Sequence, residues 1–366
     1  MKNICVIFRK NADAAFERGE SAVLSAFSSN GYFFREMRIF LQTEQIDFRE
    51  ILNGLQKEYD TAVMIAENGV LPKIKAHVLE VSPSSKVVNE FGSLAIVLDG
   101  KTRICLLSCD DTGTEYAIAA CIPFFEKIDG IKLDKIVVRS VGAAKTRVEG
   151  VLAEINRCSN GKMSYVHTRK FDEDVIELIY DSNTPKMLAD DILRTLIDGL
   201  GDSVYALDNV TLEKQLVTLL KLRGKKLSVA ESFTGGGIAR RIVSVAGASE
   251  VYFEGLNTYD ERSKIKRLGV SSYTLGSVGA VSDKTAYEMA LGLLNTGDCD
   301  VAIATTGLAG PKSDKFGHPV GYCCLAVGTK ERICVYQYKF DGNREEITEK
   351  AINYALFLAY KHLKDI

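Results

Sequence analysis

Apolar residues recur along the chain in two rhythms, short continuous runs and a three-to-four-residue spacing, and their alternation predicts its elements. Over the first 130 residues, strands at 3–8, 32–39 and 61–66 alternate with helices at 15–28 and 48–55, as in a parallel sheet covered by helices. Two further runs, 94–98 and 102–107, flank Asp99-Gly100-Lys101, which reads as a hairpin turn, and a helix over 114–125 follows. After the polar stretch Lys127-Ile128-Asp129-Gly130 the order changes to strand 135–140, helix 146–155, strands 163–168 and 175–180, helix 187–197 and strand 204–207. This is the split β-α-β-β-α-β order of a small two-layer module. Asp208-Asn209 then caps a helix running to 222, and the last stretch reads as strands at 226–230, 251–258 and 301–306, a hairpin of 321–327 with 333–340, and an amphipathic helix over 344–362. Further helices begin beyond the glycines at 235–237, near Tyr259, and after Ser282 as N-cap. The predicted fold is α/β in three domains. Residues 1–130 form a doubly wound, mostly parallel sheet, 133–207 the two-layer module, and 208–366 an α/β sandwich.

Composition narrows the function. With 46 Lys plus Arg against 48 Asp plus Glu, no global field favours nucleic acid or an anionic membrane. The middle module lacks both a G-x-x-G loop and a paired aromatic signature, so it reads as a spacer or homodimer contact and not as an RNA binder. The N-terminal apolar run of five residues before Arg9-Lys10 is too short for a signal peptide or a membrane span, so a cytoplasmic protein is expected. Nine cysteines scattered through apolar runs suggest reduced thiols, and with four histidines outside any ligand spacing no metal site is readable. Asp110, Asp111 and Glu115 could hold a hard cation, but a solvated acidic turn is the preferred reading.

Candidate chemistry concentrates at Ser228-Val229-Ala230-Glu231-Ser232-Phe233-Thr234-Gly235-Gly236-Gly237-Ile238, where strand meets helix through a polar, glycine-rich turn. The spacing is neither G-x-G-x-x-G nor a P-loop. Two readings remain. Thr234 is a simple helix cap, or Ser232 is a nucleophile with helix-mouth N–H groups from Thr234 to Gly236 cradling an oxyanion. The nearby histidines, His318 and His362, lie in a Gly-Pro loop and on the last helix. Lys264 is therefore the better-placed base, provided its surroundings lower its pKa.

Ala-Glu-Ser-Phe-Thr-Gly-Gly at 230–236, Tyr259 and Lys264 in a Tyr-x4-Lys pattern, Gly-Ala-Val-Ser at 279–282, Thr-Gly-Leu-Ala-Gly-Pro at 306–311 and Pro-Val-Gly at 319–321 resemble, in order and spacing, the C-terminal domain of the CinA family. That domain is a nicotinamide-nucleotide amidohydrolase, which turns nicotinamide mononucleotide into nicotinic acid mononucleotide and ammonia. The resemblance implies Ser232 as nucleophile and Tyr259 with Lys264 as its activating pair. It also implies Thr234, Gly235, Gly236, Thr306, Gly307 and Arg344 around a small-molecule nucleotide, with no cofactor. The chain departs from the family at Phe233, usually Cys, in the Asp-Glu-Arg-Ser between Tyr259 and Lys264, and at Lys312-Ser313-Asp314, usually glycines. Residues 133–207 resemble the family's middle domain. Residues 1–130 resemble a shortened molybdopterin-binding-type domain whose anion-cradling turns are replaced at 66–72 and 107–111. The rival reading is a non-catalytic, nucleotide-sensing or protein-binding adaptor in competence or the DNA-damage response.

Overall fold

The protein is described from a computed structural model covering residues 2–9, 14–41, 48–81, 85–100, 102–130 and 132–364, without the side chains of 14–16, 48, 49 and 56. It is a mixed α/β chain with three sheets among the described residues. Two compact units emerge: Met1–Ile136 with Asn156–Val166 and Glu177–Ile192, and Val137–Ile155 with His167–Ile176 and Leu193–Ile366.

The first unit contains a six-stranded sheet built from β1 (Asn3–Arg9), β2 (Glu36–Leu41), β3 (Thr61–Ala66), β4 (Lys86–Phe91), β5 (Leu94–Asp99) and β6 (Thr102–Ser108), in the order β2-β1-β3-β6-β5-β4. The first four strands in that order run parallel, and the β6–β5 and β5–β4 pairings are antiparallel. Helices α1 (Ala14–Ser28), α2 (Phe48–Glu58), α3 (Leu71–Val81), α4 (Asp111–Tyr116) and α5 (Ile122–Asp129) connect or follow the strands. Residues Ile4–Ile7, Ala62–Ala66 and Ile104–Leu107 are buried, which is why these strands read as unbroken apolar runs.

Two expectations shift here. The strand expected at 32–39 starts at Glu36, because Tyr32 is a core residue whose ring meets Phe125 edge-on at 5.3 Å. Helix α3 and strand β4 lie between the predicted elements. Every residue of β4 is exposed, so it offers no alternation to read. Lys101 of the expected hairpin turn lies outside the described residues. Asp110 is the N-cap of α4, taking hydrogen bonds from Gly113 N at 3.0 Å, Ser108 Oγ at 2.5 Å and Asn68 Nδ2 at 2.8 Å.

The chain continues as β7 (Leu133–Val141), α6 (Lys145–Ser159), β8 (Met163–Lys170), β9 (Glu173–Asp181), α7 (Lys186–Leu200) and β10 (Val204–Ala206). Their sheet has the order β10-β7-β9-β8.

The second unit also contains α8 (Leu212–Arg223), β11 (Leu227–Glu231), α9 (Gly237–Val243), β12 (Tyr252–Asn257), α10 (Glu261–Leu268), α11 (Ser272–Ser277), α12 (Asp283–Asn295), β13 (Val301–Gly307), β14 (Tyr322–Gly328), β15 (Ile333–Lys339) and α13 (Arg344–Lys364). Its sheet runs β12-β11-β13-β14-β15, with β12, β11 and β13 parallel and the β13–β14 and β14–β15 pairings antiparallel. Strand β13 shows how sequence sets the layers. Val301 and Ile303 join the core that includes Leu216, Ile242 and Leu356, while Ala302 and Ala304 join the one that includes Met289, Leu293 and Leu268. The strand period of two sends alternate residues to opposite faces, and the small alanines let α12 approach closely. Because β11, β12 and β13 are parallel and paired in register at Glu231, Asn257 and Thr305, their carboxyl ends open on one edge of the sheet.

Candidate active site

Strand β11 ends at Glu231, and the chain turns sharply through Ser232, Phe233, Thr234, Gly235 and Gly236 into α9. Gly235 and Gly236 have φ of 61° and 92°, a left-handed conformation that L side chains adopt only with strain. A Cβ at either would meet nothing within 4 Å, so the backbone turn and not crowding calls for glycine here, and open room lies beside it. The turn is tied to β13, with Ser232 N donating to Thr305 O at 3.1 Å and the buried hydroxyls of Thr234 and Thr305 2.7 Å apart. Thr234 is therefore not the cap of α9. The cap position is Gly236.

Glu231 takes over the role expected of the helix mouth. Its buried carboxylate accepts from Gly236 N (3.1 Å), Ile238 N (3.1 Å) and Ala239 N (2.9 Å), while Gly235 N and Gly237 N are bonded inside the turn. The N–H groups that lead a helix attract an anion, and here the chain supplies its own. Of the N–H groups expected to cradle an oxyanion, Thr234 to Gly236, those of Gly235 and Gly236 are therefore occupied within the protein. Among the described residues, the N–H groups of Phe233 and Thr234 have no acceptor, and they directly follow the serine.

Lys264 reaches Ser232 from α10, whose start is fixed by Asp260 accepting from Arg262 N at 2.8 Å. Its Nζ lies 3.0 Å from Ser232 Oγ, 2.6 Å from Thr258 O and 3.2 Å from Tyr259 O, and the residue is 1% exposed. Burial pushes its pKa down from 10.5 to about 8, against the opposing pull of Glu261 and Asp260. As an ammonium, Lys264 donates its three hydrogens to these three oxygens; once neutral, it can keep two on the carbonyls and turn its lone pair to the Ser232 hydroxyl. At pH 7 roughly one molecule in ten would hold that neutral form, about three-hundredfold more than for an ordinary lysine.

The lowered pKa also ties stability to pH. The unfolded chain, with an ordinary lysine, binds more protons than the folded one between pH 8 and 10.5, so stability is expected to rise with pH through that window. Urea unfolding at pH 7 and pH 10 should show this rise, on the order of 2–3 kcal/mol from this group, and Lys264→Met should remove it.

The other residues of the sequence-derived set fall in different places. Tyr259 is 65% exposed, and only its backbone carbonyl meets Lys264; its hydroxyl bonds neither Ser232 nor Lys264. The Thr306 hydroxyl donates to Ala280 O at 2.6 Å, pinning the 279–282 turn. A Cβ at Gly307 would come within 2.5 Å of the Cys323 Cβ and 2.9 Å of the Phe233 ring, so that glycine serves packing. Arg344 opens α13 and its guanidinium donates to Gly310 O. Asp314, in the loop that departs from the family's glycines, accepts from Phe316 N at 3.0 Å, His318 N at 2.9 Å and the His318 ring at 2.8 Å, and so braces the loop.

Glu231 and Thr305 were missed as parts of the site. Glu231 had a signal, since it is the acidic residue closing an apolar strand. The Thr258 and Tyr259 carbonyls had none, because backbone groups carry no residue code. No group of His, Cys, Asp or Glu is placed to hold a metal ion among the described residues. Nor is any described helix long and apolar enough to cross a membrane.

The sequence profile of the CinA C-terminal domain matches residues 209–363, which contain this whole constellation. A protein of Caldicellulosiruptor bescii, provisionally named a competence-damage inducible protein, is 30% identical over 304 residues, covering 81% of this chain and 73% of its own. The chain belongs to the CinA family. A protein of Caldicellulosiruptor saccharolyticus with the same provisional name is 35% identical over 281 residues; the match covers 74% of this chain and 64% of the relative's length. A crystal structure of a competence-damaged protein (CinA) superfamily protein from Escherichia coli is 33% identical, covers 43% of this chain and 94% of its own, and superposes with a TM-score of 0.41.

Proposed function

We propose that the C-terminal region hydrolyses the carboxamide of nicotinamide mononucleotide to the carboxylate and ammonia, with Ser232 as nucleophile and Lys264 as its base. The observation that carries this reading is the buried Lys264 amine 3.0 Å from Ser232 Oγ with its pKa near 8. A serine hydroxyl is a weak nucleophile until a neighbouring group can take its proton, and a desolvated lysine can do so near neutral pH.

In the proposed sequence Ser232 Oγ bonds to the carboxamide carbon as its proton moves to Lys264 Nζ. The negative charge forming on the carbonyl oxygen is met by the Phe233 and Thr234 N–H groups. When the carbon–nitrogen bond breaks, Lys264 returns a proton to the departing ammonia. Water, deprotonated by the same amine, then attacks the acyl ester and releases the acid and free Ser232. Tyr259 contributes its carbonyl to holding the amine in this account, and its phenol takes no step.

The deciding experiment is ammonia release from nicotinamide mononucleotide by the purified chain. No release above the rate of a Ser232→Ala sample would overturn the reading. Arg344 is assigned to the nucleotide phosphate, since a guanidinium at the start of α13 is anchored to the Gly310 carbonyl and is otherwise exposed. Arg344→Ala is accordingly expected to raise KM about tenfold while changing kcat little, because a phosphate held equally in ground and transition states affects binding alone. Steady-state kinetics on the variant checks this.

A further inference from the structure

A cavity of about 520 Å³ opens in the second unit at the end of the five-stranded sheet remote from Ser232. The register fixes that distance in kind. Glu231, just before the serine, pairs with Thr305 near the carboxyl end of β13, whereas Gly328, just before the β14–β15 turn that lines the cavity, pairs with Ala302 at its amino end. The cavity therefore belongs to neither the serine nor the loops around it.

Its wall combines cationic with apolar side chains. Arg223, Lys225, Arg332 and Lys361 line it with Glu331 as the acidic member. Lys225 is offset by Asp300 at 3.4 Å and Lys361 by Asp202 at 3.6 Å. Arg223 donates only to the Lys364 carbonyl, at 3.5 Å, and neither Arg223 nor Arg332 meets a carboxylate among the described residues. Among the described residues, the two guanidiniums beside the cavity thus have no carboxylate in an ion pair with them. A guanidinium fork matches the paired oxygens of a phosphate, and two of them favour a dianion over a carboxylate. Tyr336 and Leu358 line the same cavity. An aromatic face and an aliphatic side chain suit a flat ring, which a bare phosphate would leave unused. The volume falls in the range of small-molecule sites.

From this pairing of charge and apolar wall we propose a second binding site, for a nucleoside monophosphate, whose phosphate lies between Arg223 and Arg332 and whose base lies against Tyr336 and Leu358. The site stands independently of the amidase reading. Arg223 is on the last turn of α8 and Lys225 leads into β11, the strand that ends at Glu231 and Ser232, so a ligand here sits at the other end of the nucleophile's own strand.

The test is calorimetric titration of the full chain with AMP and, separately, with inorganic phosphate. AMP is expected to bind, at least about tenfold tighter than phosphate, and Arg223→Gln with Arg332→Gln should weaken AMP binding by at least about tenfold. Both arginines are exposed, so the double variant should keep the thermal midpoint of the parent protein. Arg344→Ala should leave AMP binding here unchanged. Absence of AMP binding at millimolar concentration, or undiminished binding by the double variant, overturns the site. Loss of AMP binding in Arg344→Ala instead would assign the ligand to the serine site and overturn it as well. Equal affinity for AMP and phosphate overturns the nucleotide assignment.

Discussion

Ser232→Ala is expected to lower kcat on nicotinamide mononucleotide by on the order of a thousandfold or more, and Lys264→Ala by a similar factor. The double variant should lose little beyond either single one. The reason is geometric: the amine and the hydroxyl are 3.0 Å apart and form one proton-transfer unit, so removing either half leaves the other without a function. Additive losses, with the double variant slower by the product of the two factors, would show that the residues act in separate steps. The pH profile supplies a second check. Only neutral Lys264 can accept the serine proton, so kcat/KM should climb with pH and level off above about 8, the pKa set by burial. Lys264→Arg, which stays charged throughout, should abolish that rise together with the activity. Tyr259→Phe separates two readings of the site. It leaves intact the backbone carbonyl that meets Lys264 and should therefore retain most of the rate, whereas a phenol that relays the proton would make it as damaging as the lysine change.

Glu231→Ala is expected to destabilise the protein by about 3 kcal/mol or more, measured as the shift in urea midpoint at constant slope. Three backbone donors end on this one carboxylate, and burial denies them easy replacement by water. Each donor left unpaired costs about 1–3 kcal/mol. Glu231→Gln should cost less, because its amide keeps one acceptor oxygen while its NH2 now faces at least one of the N–H groups. Activity should fall in both variants, since the turn that Glu231 holds also sets the positions of Ser232 and of the Phe233 and Thr234 N–H groups. A midpoint shift below about 1 kcal/mol for the alanine variant would mean that water or an ion fills the helix mouth, and the turn would then be less dependent on its carboxylate than the hydrogen bonds imply.

The sequence by itself determined the order of the elements through most of the chain, because near-neighbour pattern decides helix against strand. The run 301–306 could only be a buried strand, and Ser282 could be read as an N-cap, which it is, accepting from Thr285 N. The motifs likewise brought Ser232 and Lys264 onto one page although 32 residues separate them. Tertiary structure decided the rest. The burial that lowers the Lys264 pKa, and the Thr258 and Tyr259 carbonyls that meet its amine, exist only once α10 is packed in the folded chain. The exposure of the Tyr259 ring, the capture of the helix mouth by Glu231 and the fate of the Thr306 hydroxyl have the same character. Each depends on which groups from distant segments arrive within 3 Å, and hydrogen-bond partners and desolvation are properties of that arrival, which local residue pattern does not encode.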